Sequence, residues 1–156
     1  MEDFFIELFK SHSYKKKENP QLMPVLTLAF IGDSLFDVAI RTLAILEHEQ
    51  MQVNKLHLLC SQRAKASAQA QAAKKIFDQL EKDEQDIYIR ASNTKFNTIP
   101  KNATLNDYRY ATALEAVIGY CYMSENYSRM KDIILLAIDN QEIKPVQTFK
   151  PLKSFK

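Results

Sequence analysis

The sequence predicts an all-α domain, and three observations carry that prediction. Glycine occurs only twice in 156 residues and proline five times, so helix breakers are scarce. Long stretches are built from Ala, Leu, Lys, Gln and Glu, all good helix formers. Apolar positions recur at helical spacing through most of the chain. At 46% hydrophobic and 26% charged, a chain of this length buries a core as one domain.

The elements follow in order. Residues 3–10 form a short helix, then a loop containing Lys15, Lys16, Lys17 and Pro20. Pro24 suits the first turn of a helix reaching Glu47, in which Asp37 and Arg41 make an i,i+4 ion pair. A second helix spans residues 53–63, and a third, alanine-rich, spans 66–80. A fourth spans 82–92, after a charge cluster from Glu81 to Asp86 that reads as a solvated helix start. Residues 93–104 lack periodicity and are rich in turn formers, so they form the one substantial internal loop. Thr104 suits the N-cap of a helix reaching Met123, and a last helix covers residues 127–140. The lysine-rich tail beyond Pro145 has no apolar pattern and reads as extended or disordered. The organisation expected is a catalytic domain over residues 1–143 and a flexible tail over 144–156.

Several classes of function are disfavoured. No apolar run approaches the ~20 residues of a membrane helix, and the acidic start Met1-Glu2-Asp3 is unlike a secretory signal. Cys60 and Cys121 have no metal spacing, which points to a reduced, cytoplasmic chain. His12, His48 and His57 are scattered, so no zinc cluster or histidine triad is visible. Net charge is +2, but residues 1–142 carry 17 bases against all 19 acids. Any nucleic-acid surface is therefore a local patch.

Both glycines accompany a carboxylate in an apolar helical stretch. Gly32 directly precedes Asp33, and Gly119 lies one turn after Glu115. A mid-helix glycine costs roughly 1 kcal/mol against alanine, and an unpaired charge in an apolar helix costs more. Ala29, Phe30 and Phe36 offer Asp33 no partner, Asp37 is a like charge, and Arg41 is nearer to Asp37. Glu115 is flanked by Ala111, Thr112 and Ile118. Two acids held together suit a hard divalent cation. The residues alone leave open a second reading, in which each acid pairs with a distant Arg or Lys.

The segment Leu28-Ala-Phe-Ile-Gly-Asp-Ser-Leu35 resembles the signature helix of the ribonuclease III superfamily, and the segment from Leu114 to Tyr122 resembles its second acidic helix. Pro100 to Asn102, Tyr108 to Tyr110 and Asn54 to His57 are similar to segments of the Mini-III subfamily, which lacks the double-stranded-RNA-binding domain. The likeness covers residues 22–140. It implies an all-helical, homodimeric endonuclease domain in which Asp33 and Glu115 are catalytic and bind Mg²⁺, with Mn²⁺ able to substitute. Two further acids of full-length ribonuclease III are replaced here by Ala29 and Thr112, a reduction shared with Mini-III.

The implied activity is hydrolysis of double-stranded RNA to 5′-phosphate products. Precursor ribosomal RNA of the 23S type is the implied substrate. A catalytically silent RNA-binding or ribosome-associated scaffold is the rival reading, and a helical interaction module unrelated to RNA is a third. RNA contact is expected from Arg90, Lys95, Lys101 and Arg109, which face one acid, Asp107, amid Tyr88, Tyr108 and Tyr110. An ordinary solvated loop is the competing reading of that segment. Relatives begin it Arg-Gly-Arg-Asn; here it is Arg90-Ala91-Ser92-Asn93. Tyr120 and Tyr122 read as core or interface residues and His57 as a packing residue. Lys74 and Lys75 face either RNA or solvent.

Overall fold

A computed structural model describes residues 19–142, which form six α-helices and two 3₁₀ turns without a strand. The helices are α1 (Val25–Glu47), α2 (Val53–Ala64), α3 (Ala66–Ile76), α4 (Lys82–Ser92), α5 (Leu105–Met123) and α6 (Tyr127–Asp139). The helix expected over residues 3–10, the Lys15–Lys17 run and the tail beyond Pro145 lie outside the described residues. No described helix is long and apolar enough to cross a membrane.

α5 is the centre of the domain, and α1, α3, α4 and α6 all pack on it. It is apolar nearly all round, as a helix surrounded by others must be. Leu114, Val117, Ile118 and Cys121 are buried there with Leu28, Phe36 and Ile40 of α1, Ile76 of α3, Ile87 of α4 and Ile133 of α6. The Thr104 hydroxyl caps α5, accepting from Asp107 N at 3.0 Å. Asn126 caps α6 in the same way, accepting from Arg129 N. Asp37 and Arg41 form the expected pair at 2.7 Å.

Three expectations need correction. The alanine-rich helix stops at Ile76 instead of running to residue 80, because Gln85 Nε2 donates to the Phe77 and Leu80 carbonyls. Those acceptors are satisfied from α4, so a 3₁₀ turn over Phe77–Gln79 replaces the last helical turn. The acidic cluster at the start of α4 is not wholly solvated. Glu84 is buried and receives two 2.8 Å bonds from the Arg129 guanidinium of α6, while Cys121 Sγ donates to it at 3.7 Å. Burial pushes the Glu84 carboxyl up, but the bonds from Arg129 and Glu81 N hold it below the ordinary range. His57 is exposed and does not pack in the core.

Candidate active site

The two glycines meet. A methyl group built on Gly32 would fall on the Glu115 carbonyl oxygen, with Glu115 C at 2.7 Å and Gly119 N at 2.9 Å. One built on Gly119 would fall on the Leu28 carbonyl oxygen, with Leu28 C at 2.7 Å. α1 and α5 therefore cross backbone against backbone, a contact that only glycine permits. The crossing fixes the acids: Asp33 follows the glycine of α1, and Glu115 is the residue whose backbone that glycine touches.

The Asp33 charge reaches Glu115. Glu115 is half-buried, and burial first and the Asp33 charge second push its pKa up to about 8, with the Gln69 amide opposing them. Asp33 is exposed, yet the packed protein behind its carboxyl and then the Asp37 charge raise its pKa too. Arg41 does not relieve Asp33, because its guanidinium is bonded to Asp37. Among the described residues neither Asp33 nor Glu115 has a cationic partner, which removes the distant salt bridge as their explanation there.

The donor set is all oxygen, and no cluster of three or more His, Cys, Asp or Glu suited to a metal occurs among the described residues. A pair of carboxylates without His or Cys fits Mg²⁺, which keeps several waters and takes one or two carboxylates plus substrate phosphate. Ala29 and Thr112 are buried, and the Thr112 hydroxyl donates to the Tyr108 carbonyl at 2.8 Å. Neither supplies another anion.

The ribonuclease III domain family model matches residues 26–126, which includes both acids and both glycines. The chain belongs to the ribonuclease III family. It is 38% identical over 138 residues to a Mini-ribonuclease 3 of Thermoanaerobacter sp. (strain X514), spanning 88% of this chain and 96% of that protein. It is 39% identical to a Mini-ribonuclease 3 of Clostridium tetani, over 86% of this chain and 88% of that one. A crystal structure of a Fusobacterium nucleatum protein superposes with a TM-score of 0.70 at 30% identity, covering 79% of this chain and 98% of that one. With Mini-ribonuclease 3 relatives matching across most of its length, this ribonuclease III domain is an endoribonuclease.

The basic residues expected to meet RNA are distributed around the start of α5. Lys95 and Lys101 are exposed in the loop between α4 and α5. Phe96 of that loop packs edge-on against Tyr108 at 4.8 Å, which ties the loop to α5. Arg109 is half-buried, and its Nε has no hydrogen-bond partner in the protein. Arg90 is already engaged, donating to the Gln21 and Met23 carbonyls at 2.6 and 3.1 Å and pinning the segment before α1. Lys75 bonds Asn140 O and Glu142, whereas Lys74 Nζ lies 4.5 Å from the Tyr110 ring centroid. Whether these two lysines face RNA or solvent is open in the sequence, because a helix position carries no signal for contacts distant in the chain.

Proposed function

We propose that this ribonuclease III domain is a homodimeric, Mg²⁺-dependent nuclease that cuts double-stranded RNA at the Asp33–Glu115 pair. Maturation of a precursor ribosomal RNA is its proposed task. The observation that carries the reading is the glycine-to-glycine crossing, which sets side by side two helices whose acids have no cationic partner among the described residues. Mg²⁺ bound there would supply an activated water and charge stabilisation for the departing 3′-oxygen. Asp33 and Glu115 would hold the ion, and their fixed helices would keep the donors in register. Lys95, Lys101 and Arg109 would meet phosphates, in keeping with duplex RNA being read by shape and backbone.

Pure protein incubated with duplex or single-stranded RNA, in Mg²⁺ or EDTA, tests this directly. Cutting confined to duplex and abolished by chelator is the expected result. Binding of duplex without cleavage in Mg²⁺ or Mn²⁺ overturns it.

Replacing Lys95, Lys101 or Arg109 with Ala should weaken duplex binding and leave the fold intact. Each lost phosphate contact should lower the log–log salt slope by on the order of one unit. Titrations at several salt concentrations check this, and unchanged slopes in all three variants would place the RNA elsewhere.

The dimer reading rests on α1. Phe30 is 80% exposed on the helix that carries Asp33. An apolar groove of about 570 Å³ lies between α1 and α6, lined by Leu35, Val38, Ala39, Leu43, Ile134 and Leu135. Pairing two copies along α1 covers both features and brings two acid pairs to one cleft. Light scattering at micromolar concentration should give about twice 18.0 kDa, and Phe30→Asp should give the single-chain mass. A monomeric native protein that still cuts both strands of a duplex would defeat the dimer.

A further inference from the structure

Residues 93–104 join α4 to α5 without regular secondary structure, and compact domains seldom carry so long a bare loop without a use for it. From Lys95 to Asn102 every residue is exposed except Phe96. Among the described residues, no hydrogen bond joins that stretch to another element. The contact that ties it down is aromatic: the Phe96 ring packs edge-on against Tyr108 of α5, with centroids 4.8 Å apart. Tyr108 stands seven residues before Glu115 on the same helix. That spacing is two turns, so both side chains leave α5 on one face, roughly 10 Å apart along its axis. The anchor therefore lies on the face that carries Glu115. Lys95 adjoins Phe96 in the chain and Lys101 follows in the same loop, and neither pairs with an acid among the described residues. Phe96 is not part of the buried core, so core packing does not account for the ring.

We infer that Phe96 is a positioning residue for RNA: packed on Tyr108, it holds the loop at the Glu115 face of α5 and so presents Lys95 and Lys101 to the phosphates of a bound duplex. This rests on the reading of Lys95 and Lys101 as phosphate contacts and adds what aims them. The argument is entropic. A lysine on a free loop samples many positions, and a ligand that meets it must order both side chain and backbone. A loop seated by a ring has lost part of that freedom on folding, so more of each phosphate contact appears as affinity. An apolar anchor also suits the partner, because an acidic one would repel the phosphates.

The test is fluorescence anisotropy with a labelled duplex RNA in EDTA at several salt concentrations. It compares the parent with Phe96→Ala, Tyr108→Leu, the double variant Lys95→Ala/Lys101→Ala, and their combinations. Phe96→Ala should weaken binding and lower the log–log salt slope by on the order of two units, one for each lysine. Tyr108→Leu removes the other ring and should act alike, and the two together should lose no more than either alone. Added to Lys95→Ala/Lys101→Ala, Phe96→Ala should change affinity by less than about twofold, because the contacts it aims are already gone. Phe96→Tyr keeps the ring and should bind as the parent does. In Mg²⁺ the anchor variants should raise KM with kcat near the parent's, since Asp33 and Glu115 are untouched. If the lysine substitutions leave affinity and salt slope at the parent's values, the reading of the loop fails and the inference with it. If they weaken binding while folded Phe96→Ala and Tyr108→Leu bind as the parent does, the inference alone fails. Losses that add in full, or anchor variants that both fail to fold, assign the ring a structural role and also overturn it.

Discussion

Gly32→Ala should destabilise the fold and weaken the metal site at once. Two effects oppose each other. Alanine in a helix interior gains about 1 kcal/mol over glycine, whereas overpacking a dense contact costs about 1–3 kcal/mol and occasionally more. Here the obstacle is the Glu115 carbonyl and the Gly119 amide, backbone atoms that cannot rotate away as a side chain would. The clash wins, and α1 must lift off α5. The expected outcome is a net loss of about 2 kcal/mol or more, which for a domain of this size is a melting temperature lower by roughly 4–8 °C. Gly119→Ala should act in the same direction through the Leu28 carbonyl. The double variant should lose less than the sum, because one displacement relieves both clashes. Divalent-metal affinity should fall in each, since the crossing that holds the acids opens. A Gly32→Ala protein as stable as the parent would show that the helices need not touch there.

Much of this was legible in the residues. The boundaries of α1, α4 and α5 follow from Pro24, from the charged start at Glu81 and from Thr104, because caps and breakers are local chemistry. The coupling of glycine to acid was also visible. Scarce glycine inside apolar helix demands a reason, and close backbone approach is one of the few available. What the sequence concealed depends on partners distant in the chain. Glu84 looks like any member of a solvated acidic run until Arg129, 45 residues on, is placed against it. Arg90 looks like a free base until the carbonyls of Gln21 and Met23 are seen to occupy it. Gln69 and Gln71 look alike in an alanine-rich stretch, yet the packing of α3 on α5 leaves Gln69 2% exposed and Gln71 on the surface. Phe30 and Phe36 are indistinguishable in sequence, yet Phe36 is 1% exposed and Phe30 80%.

Glu115→Gln should abolish or severely reduce cleavage while leaving the metal-free protein as stable as the parent or more so. The change keeps shape and removes one of two like charges brought together at the crossing. The sign of the pH effect follows from the raised pKa. Below the ordinary carboxyl range Glu115 is protonated in both folded and unfolded chains. Between that range and about 8 the folded chain keeps a proton that the unfolded chain releases. The metal-free parent should therefore lose stability as pH rises from about 4.5 to 8, by a few kcal/mol at most, and Glu115→Gln should lose less of it. Mg²⁺ reverses the slope, because the ion needs the deprotonated carboxylate and its binding expels the proton. Asp33→Asn should also stop cleavage, and it should lower the pH at which Glu115 ionises, since the Asp33 charge is one of the two influences raising it. Had either acid belonged to a buried salt bridge, the same changes would strand a base and cost roughly 3–5 kcal/mol. Melting curves in EDTA across pH, with and without added Mg²⁺, separate the two cases before any RNA is supplied. A large loss of stability in both variants would sink the metal-site assignment, whereas a slope that Mg²⁺ reverses in the parent but not in Glu115→Gln identifies Glu115 as the group that exchanges its proton for the ion.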